Sequence, residues 1–498
     1  MNEIQLHQRI AELESLLDTK DAKIAYLLEQ FRLAQQKQFG ASSEGHPGQG
    51  ELFNEAEELV AETPAEQEDI SYTRNKPKRK SLPKSLPREV IIHDIAEEDK
   101  VCACCNSELH KIGEDTAEKL EFIPAQVKVI EHVRPKYACR VCEKDGISNH
   151  IKQAPVPPSV IPKGYATPSL LSQIITSKYQ FGLPLYRQEA MFKQYGIELS
   201  RKTMADWMIT CADLLEPLYE RLHELILEQP IIAADETTLK VVSEDKAKCY
   251  MWVYTSGADS PKGTLPNSDI PNIVLYDYQS SRAGQCAVDY LQGYTGYLQV
   301  DGYAGYHKTL ATLAGCWAHA RRKFVEAKTA QGKHSSGRAD WALNHIQKLY
   351  RIETQIKTRT PEERQKIRQE KSLPLLKQFE AWLIKSESQV LAKSKLGEAI
   401  TYCLNQWSKL NTYTKNGHLN IDNNRAERAI KPFVIGRKNW LFSQTAKGAK
   451  ASAMLYSMIE TAKANGLTPF DYMMYLLENL SAQNTDIEQL LPWRFAKG

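Results

Sequence analysis

The chain has 498 residues, too many for one hydrophobic core, and should divide into several domains. Its 64 basic and 61 acidic residues leave a net charge of +3, which excludes a global field drawing the protein onto polyanions; nucleic-acid binding would need local patches. No apolar run approaches a membrane span, the N-terminus is polar rather than signal-like, and ten cysteines, many of them isolated, suit a reducing compartment, so a soluble cytoplasmic protein is expected.

Residues 1–40 carry an apolar seam at heptad spacing. Ile10, Leu17, Ile24 and Phe31 take one seam position and Leu6, Leu13, Leu27 and Ala34 the other, with Lys20 interrupting. The pattern is read as a coiled coil pairing two protomers into a homodimer, the alternative being an amphipathic helix docked on its own chain. Residues 41–88 then run from "FGASSEGHPGQG" through an acidic stretch to the basic, proline-punctuated "RNKPKRKSLPKSLPR". Such a segment cannot bury enough apolar surface to offset its ordering entropy, and a linker is predicted.

Residues 89–150 hold two C-x-x-C knuckles, Cys102 with Cys105 and Cys139 with Cys142. Four thiolates in two such pairs can close a tetrahedral structural Zn²⁺ site in a module too small for its own core. Cys104 leaves open which of two neighbours is the ligand.

Residues 151–228 read as helices. "LPLYRQEAMFKQYG", a short turn and "SRKTMADWMITCADLL" follow in helix-turn-helix order, with Ser200 as N-cap of the last helix. Arg201 and Lys202 in its first turn are candidate DNA contacts, although most helical pairs bind no DNA.

From residue 229 the pattern turns to strands. "EQPIIAADETTLKVV" is an apolar run ending at Asp235, and alternation lets only one of Asp235 and Glu236 face a site with Ala233. "CYMWVYTS" and "PNIVLYDYQSS" follow as antiparallel strands, then a helix, then "GYLQVDGYAGY" with a second strand-end acid, Asp301. A mixed sheet with packed helices is expected. In "DNNRAERAIKPFVIGRKNW", Asn424, Glu427 and Lys431 share one helical face, Asp422 or Asn423 caps the helix, and Pro432 should end or kink it. Arg437 and Lys438, after Gly436, are then expected in a loop, where they suit phosphate contacts.

Three carboxylates at Asp235, Asp301 and Glu427 would repel one another if they met, unless divalent metal removed the repulsion; two hard cations bound there could drive in-line attack on phosphate. Strand-end and helix acids are commonplace, so spacing alone leaves solvated surface acids as the alternative. His319 reads as a metal-proximal base, a DNA contact or a hydrogen-bonded histidine near the core. Trp440 reads as a base-stacking or a buried aromatic.

The wording of these stretches adds to this. "ADET", "DGYAGY", "CWAHARRKF" and "DNNRAERAIKPFVIGRKNWLF", with "FGASSE", "LFNEAE", "YACRVCE", "SKYQFGLPLYRQEAMFKQYGIELSRKTMADW" and the closing "LLPWRF", closely resemble the insertion sequence 66 family of bacterial transposases, nearly end to end. The resemblance implies a DDE transposase whose triad is Asp235, Asp301 and Glu427, with Mg²⁺ or Mn²⁺ as cofactor. It implies a multidomain α/β chain: a ribonuclease-H-like catalytic core over residues 229–324, a helical insertion over 325–417, the third-acid helix over 418–445 and a C-terminal helical region over 446–498. It implies binding of the element's terminal inverted repeats, cleavage at its ends and transfer of the 3′-OH to target DNA, with accessory proteins of the same element as partners and a nucleoid-associated location. Lys431 stands where arginine is usual and the first knuckle lacks the usual proline, but the triad is intact. A non-catalytic end-pairing protein and a hydrolytic nuclease of the same fold are the rival readings.

Overall fold

The computed structural model describes residues 152–495 apart from 247, 258–269, 332–336 and 482–485, together with 88–91, 104, 119, 126–137 and scattered positions between 7 and 31. Two compact units are present, one made of Pro64–Ala154 and the other of Met1–Thr63 with Pro155–Gly498. In the first, β1 (Lys136–Tyr137) pairs antiparallel with β2 (Lys152–Gln153). The knuckle residues Cys102, Cys105, Cys139 and Cys142 lie outside the described residues, as do most of the linker and Leu6, Ile10 and Ala34 of the apolar seam.

In the second unit, the described positions between 7 and 31 are helical. Seam residues Leu13, Leu17, Ile24, Leu27 and Phe31 are 46–61% exposed, while Glu29 Oε1 accepts from Lys395 N at 2.8 Å. The helix thus has an apolar stripe open to solvent and a polar anchor on its own chain.

Three helices precede the sheet: α1 (Pro168–Tyr179), α2 (Leu185–Gln194) and α3 (Arg201–Leu227). Ser200 caps α3 by accepting from Thr203 N at 3.1 Å, satisfying one of the amides that a helix start leaves without a partner. Beyond its exposed first turn, α3 is core: Leu215, Leu218, Leu222 and Ile226 are fully buried.

The expected mixed sheet is present. Its strands are β3 (Ile231–Leu239), β4 (Cys249–Ser256), β5 (Ile273–Gln279), β6 (Tyr297–Gln299) and β7 (Thr312–Ala314), in the order β5-β4-β3-β6-β7. β3, β4 and β5 pair antiparallel, whereas β6 runs parallel to β3 and β7 parallel to β6. A parallel return needs a crossover, supplied by α4 (Gly284–Tyr290) between β5 and β6. The outer strand β5 is covered by α11 (Ala446–Ala464). Ser457 Oγ accepts from Tyr276 N at 2.8 Å, and Thr461 Oγ1 accepts from Val274 N at 3.0 Å while donating to Val274 O at 2.8 Å. Helix hydroxyls therefore satisfy an edge that would otherwise be a template for pairing. α12 (Pro469–Leu480) completes this core with buried Tyr472, Met473, Leu476 and Leu477.

A second core belongs to the helices between β7 and the third acid: α5 (Trp317–Gln331), α6 (Arg338–Gln355), α7 (Pro361–Ile367), α8 (Leu373–Glu387) and α9 (Lys395–Leu410). Trp317, Phe324, Phe379, Ile346 and Cys403 fill it. Arg368 is fully buried there. Its guanidinium meets Glu353 at 2.8 and 2.5 Å and donates to Tyr413 O, Asn416 O and Leu419 O at 2.9, 3.0 and 2.9 Å. One planar fork thus neutralises a carboxylate and holds the segment that returns the chain to the sheet. Among the described residues no helix is long and apolar enough to cross a membrane.

Arg368→Met should destabilise the protein by about 3–5 kcal/mol in urea unfolding, because it leaves three buried carbonyls without their donor and Glu353 with only the longer 3.8 Å pairing to Arg364. Exchanging Arg368 and Glu353 together for apolar residues should recover much of that loss.

Candidate active site

Sheet register brings the first two acids together. The last pair of the parallel β3–β6 ladder is Ala233 with Gln299, and two residues further along each chain come Asp235 and Asp301. Each acid accepts a local backbone amide: Asp235 Oδ1 from Glu236 N and Asp301 Oδ1 from Tyr303 N, both at 2.8 Å. Glu427 lies in the first turn of α10 (Asn424–Trp440) and is 3% exposed.

The loop before α10 is clamped to the strand ends. Gln299 Nε2 donates to Asn420 O and Asp422 O at 2.6 and 2.7 Å, and Trp317 N donates to Ile421 O at 3.1 Å. Buried Asn423 donates from Nδ2 to Ala234 O at 2.9 Å, just past the point where β6 stops pairing with β3, and from its amide to Cys316 Sγ at 3.2 Å. These bonds place Glu427 close enough to Asp235 for the charges to interact. The Asp235 carboxyl is held well above the usual carboxylate range, first by burial and then by repulsion from Glu236, Asp301 and Glu427.

Glu236 is on a different duty. Its Oε1 accepts from Arg282 Nε and Nη2 at 2.8 and 2.5 Å and its Oε2 from Tyr306 Oη at 2.6 Å. The Arg282 guanidinium lies 4.0 Å over the Tyr303 ring, in the loop whose amide bonds Asp301. Glu236 thus ties β3 to the Asp301 loop, and nothing in the sequence signalled Arg282 or Tyr306 as its partners.

α10 does not end at Pro432 but runs on to Trp440, so Arg437 and Lys438 are helical rather than in a loop. Packing outweighs the proline: Phe433 is fully buried against Tyr276, Tyr456 and Trp440, and Tyr276 Oη donates to Ala429 O in the turn before Pro432. Gly436 is a packing residue, since a Cβ there would collide with Tyr456 Oη. Arg437, half-buried, donates through Nη1 to Thr237 Oγ1 and Thr238 Oγ1, both at 3.1 Å, and to Thr238 O. Arg425 Nη2 donates to Ser256 O and to Asn272 Oδ1. Two of the cations around Glu427 therefore fasten α10 to the sheet, whereas Arg428 and Lys438 face solvent. Trp440 packs edge-on against Phe433 at 5.4 Å. Arg201 and Lys202 are exposed in the first turn of α3, with Glu189 Oε1 accepting from Arg201 N at 3.1 Å.

Beside Glu427 stand two residues from the start of α5. His319 Nδ1 is 3.5 Å from Glu427 Oε1, and the ligand atoms of Cys316, His319 and Glu427 all lie within 4.8 Å of one another. Burial, then the cations Arg322 and Lys323, lower the His319 pKa to about 4 against an opposing pull from Asp301. At neutral pH the imidazole is uncharged, and its approach to Glu427 is not an ion pair. Burial, followed by Glu427 and Asp422, pushes the Cys316 thiol well up. The C-x-x-H spacing of Cys316 and His319 could have flagged the pair in the sequence.

Residues 163–451 match the family described as "Transposase IS66 family". Residues 99–143 match the "zinc-finger binding domain of transposase IS66", 26–91 the "Transposase C of IS166 homeodomain" and 457–493 the "IS66 C-terminal element". The uncharacterized protein y4jD of Sinorhizobium fredii is 37% identical over 83% of this chain and 81% of its own length. The uncharacterized protein y4qI of the same organism is 34% identical over 98% of this chain and 92% of its own. No solved structure matches the chain.

Gln299→Leu keeps the volume but strips two carbonyls of their donor, and should cost about 1–3 kcal/mol in denaturant unfolding. His319 supplies a pH dependence with a definite sign. Its folded pKa, about 4, lies below the ordinary 6.5, so its stabilisation is fully present above pH 6.5 and is lost as pH falls toward 4. The loss should approach roughly 3 kcal/mol at most, less solvent screening, and should be absent from the pH–stability curve of His319→Gln.

Proposed function

The chain belongs to the IS66 transposase family, and from that premise we propose that it binds the terminal inverted repeats of its insertion sequence, cleaves at the element ends and transfers the 3′-OH strand to target DNA. The observation that carries this reading is the proximity of three acids, Asp235 in mid-β3 just past the β6 pairing, Asp301 just beyond β6, and Glu427 on α10, near enough for Asp301 and Glu427 to act on the Asp235 charge, beside a helix whose Arg428 and Lys438 face solvent. The strand order, three antiparallel strands followed by two parallel ones, supports a ribonuclease-H-like core for residues 229–324 and 418–445.

The donor chemistry of the three acids suits a pair of divalent metals, although their oxygens are not gathered within 4.8 Å of one another as those of a loaded site would be. Asp235 is pushed toward its protonated form by burial and then by the neighbouring acids, a burden that bound cations would offset, and carboxylate oxygens suit Mg²⁺ or Mn²⁺. When bound, such ions supply activation of the attacking oxygen and stabilisation of the leaving oxygen in attack on a phosphodiester. The chain's own groups do the rest. Gln299 and Asn423 hold the Glu427 helix at the strand ends, Glu236 and Arg282 hold the Asp301 loop, and Arg425 and Arg437 keep α10 flat on the sheet. Neutral His319 keeps a positive charge from competing for the Glu427 carboxylate. Exposed Arg201, Lys202 and Lys438 are candidate phosphate contacts; Arg437 is spent on Thr237 and Thr238 and serves DNA only through the helix it fixes. The module over residues 99–143, with Cys102, Cys105, Cys139 and Cys142 on a structural Zn²⁺, and pairing through the N-terminal helix would bring two such sites to two element ends.

The test is a labelled duplex bearing the element's own end, incubated with Mg²⁺ and either wild type or Glu427→Gln, which keeps size but removes charge. Wild type should nick the end and join it to target, and the variant should bind the end yet lose both steps by at least about a thousandfold. Equal activity would overturn the assignment of Glu427, and nicking without joining would point to a hydrolytic nuclease.

A further inference from the structure

Cys316 immediately precedes α5 and His319 lies in its first turn, three residues on, so both side chains reach the same neighbour, Glu427. The three donors differ in kind: a thiol sulfur, an imidazole nitrogen and a carboxylate oxygen, all within 4.8 Å of one another. His319 Nδ1 is buried and makes no hydrogen bond among the described residues, although Glu427 Oε1 is 3.5 Å away. Cys316 Sγ is buried beneath the Asn423 amide. A tetrahedral ion with metal–sulfur near 2.3 Å and metal–nitrogen and metal–oxygen near 2.0 Å would space such donors about 3.3–3.5 Å apart. Side-chain rotations of about 1 Å close the present set to that spacing, with the fourth position left for water or substrate.

We infer that Cys316, His319 and Glu427 form a second metal site, one that takes a nitrogen- and sulfur-seeking divalent ion of the Zn²⁺ class and shares Glu427 with the acid cluster. Mg²⁺ and Mn²⁺ prefer oxygen ligands, whereas thiolate and imidazole select Zn²⁺ and its relatives. Binding forms a sulfur–metal bond and releases the Cys316 proton to solvent, so it strengthens as pH rises. A Zn²⁺-class ion that draws the Glu427 carboxylate toward Cys316 and His319 would turn it away from Asp235 and so from the triad. The site stands on geometry alone; its inhibitory consequence rests on the strand-cleavage reading above.

The probe is Co²⁺ added to the full-length protein with its zinc module already loaded, read by the visible and thiolate charge-transfer absorption of tetrahedral cobalt. Wild type should take up one more Co²⁺ than Cys316→Ser, with the charge-transfer band missing from the variant. His319→Gln, which keeps the thiol, should weaken that uptake at least tenfold, so a misfolded serine variant cannot decide the matter. Identical spectra and stoichiometry in all three proteins would overturn the site. In the end-cleavage assay at fixed excess Mg²⁺, Cys316→Ser should need at least ten times more Zn²⁺ for half inhibition, and equal inhibition would overturn the shared-ligand model. If no protein cleaves the end, the cleavage reading fails by itself and the cobalt spectra still decide whether the site exists.

Discussion

Like charges brought together inside a protein must be held there. Asp235, Asp301 and Glu427 come from three separate parts of the chain, and burial first, then repulsion from Glu236, Asp301 and Glu427, keeps Asp235 well above the ordinary carboxylate range. Left to local forces, the three acids would move apart into solvent. They stay because each sits on an element that is fixed for other reasons. β3 is the central strand of the sheet, β6 is locked beside it in parallel, and the start of α10 is bonded to both through Gln299 and Asn423.

The rest of the molecule serves that constraint. α11 satisfies the open edge of β5 with Ser457 and Thr461 and presses Tyr456 against Phe433, and so keeps α10 on the sheet. The helical insertion has its own core, and Arg368 within it ties down the segment from Tyr413 to Leu419 that delivers the chain to the clamp. A rigid return matters because the second and third acids are far apart in sequence. A loose one would let repulsion choose the position of Glu427.

The cations show how a charged sequence divides its work. Of the basic residues around Glu427, Arg425 and Arg437 fasten the helix to β3, β4 and the segment before β5, while Arg428 and Lys438 remain at the surface. A guanidinium can bond several carbonyls and hydroxyls at once, which suits it to structural fastening as well as to phosphate. At the N-terminus, the exposed seam of Leu13, Leu17, Ile24, Leu27 and Phe31 beside the Glu29 anchor keeps both pairing and docking physically open for that helix.

Much of this was legible in the residues themselves. Short apolar runs marked β3, β4 and β5, Ser200 marked the start of α3, and the end of an apolar run marked Asp235 and Asp301, because these signals are local and a short window holds them, although β3 runs on past Asp235 to Leu239. Only the tertiary structure decided that α10 would run through Pro432 and Gly436, since the partners that outweigh a proline and require a glycine, Tyr276 and Tyr456, lie on other elements. The same holds for Arg437, for the Glu236–Arg282–Tyr306 link and for Cys316 and His319 beside Glu427. A sequence states which groups exist and how neighbours along the chain are spaced; which groups face one another across the fold depends on packing distant segments together, and that information has no local period to read.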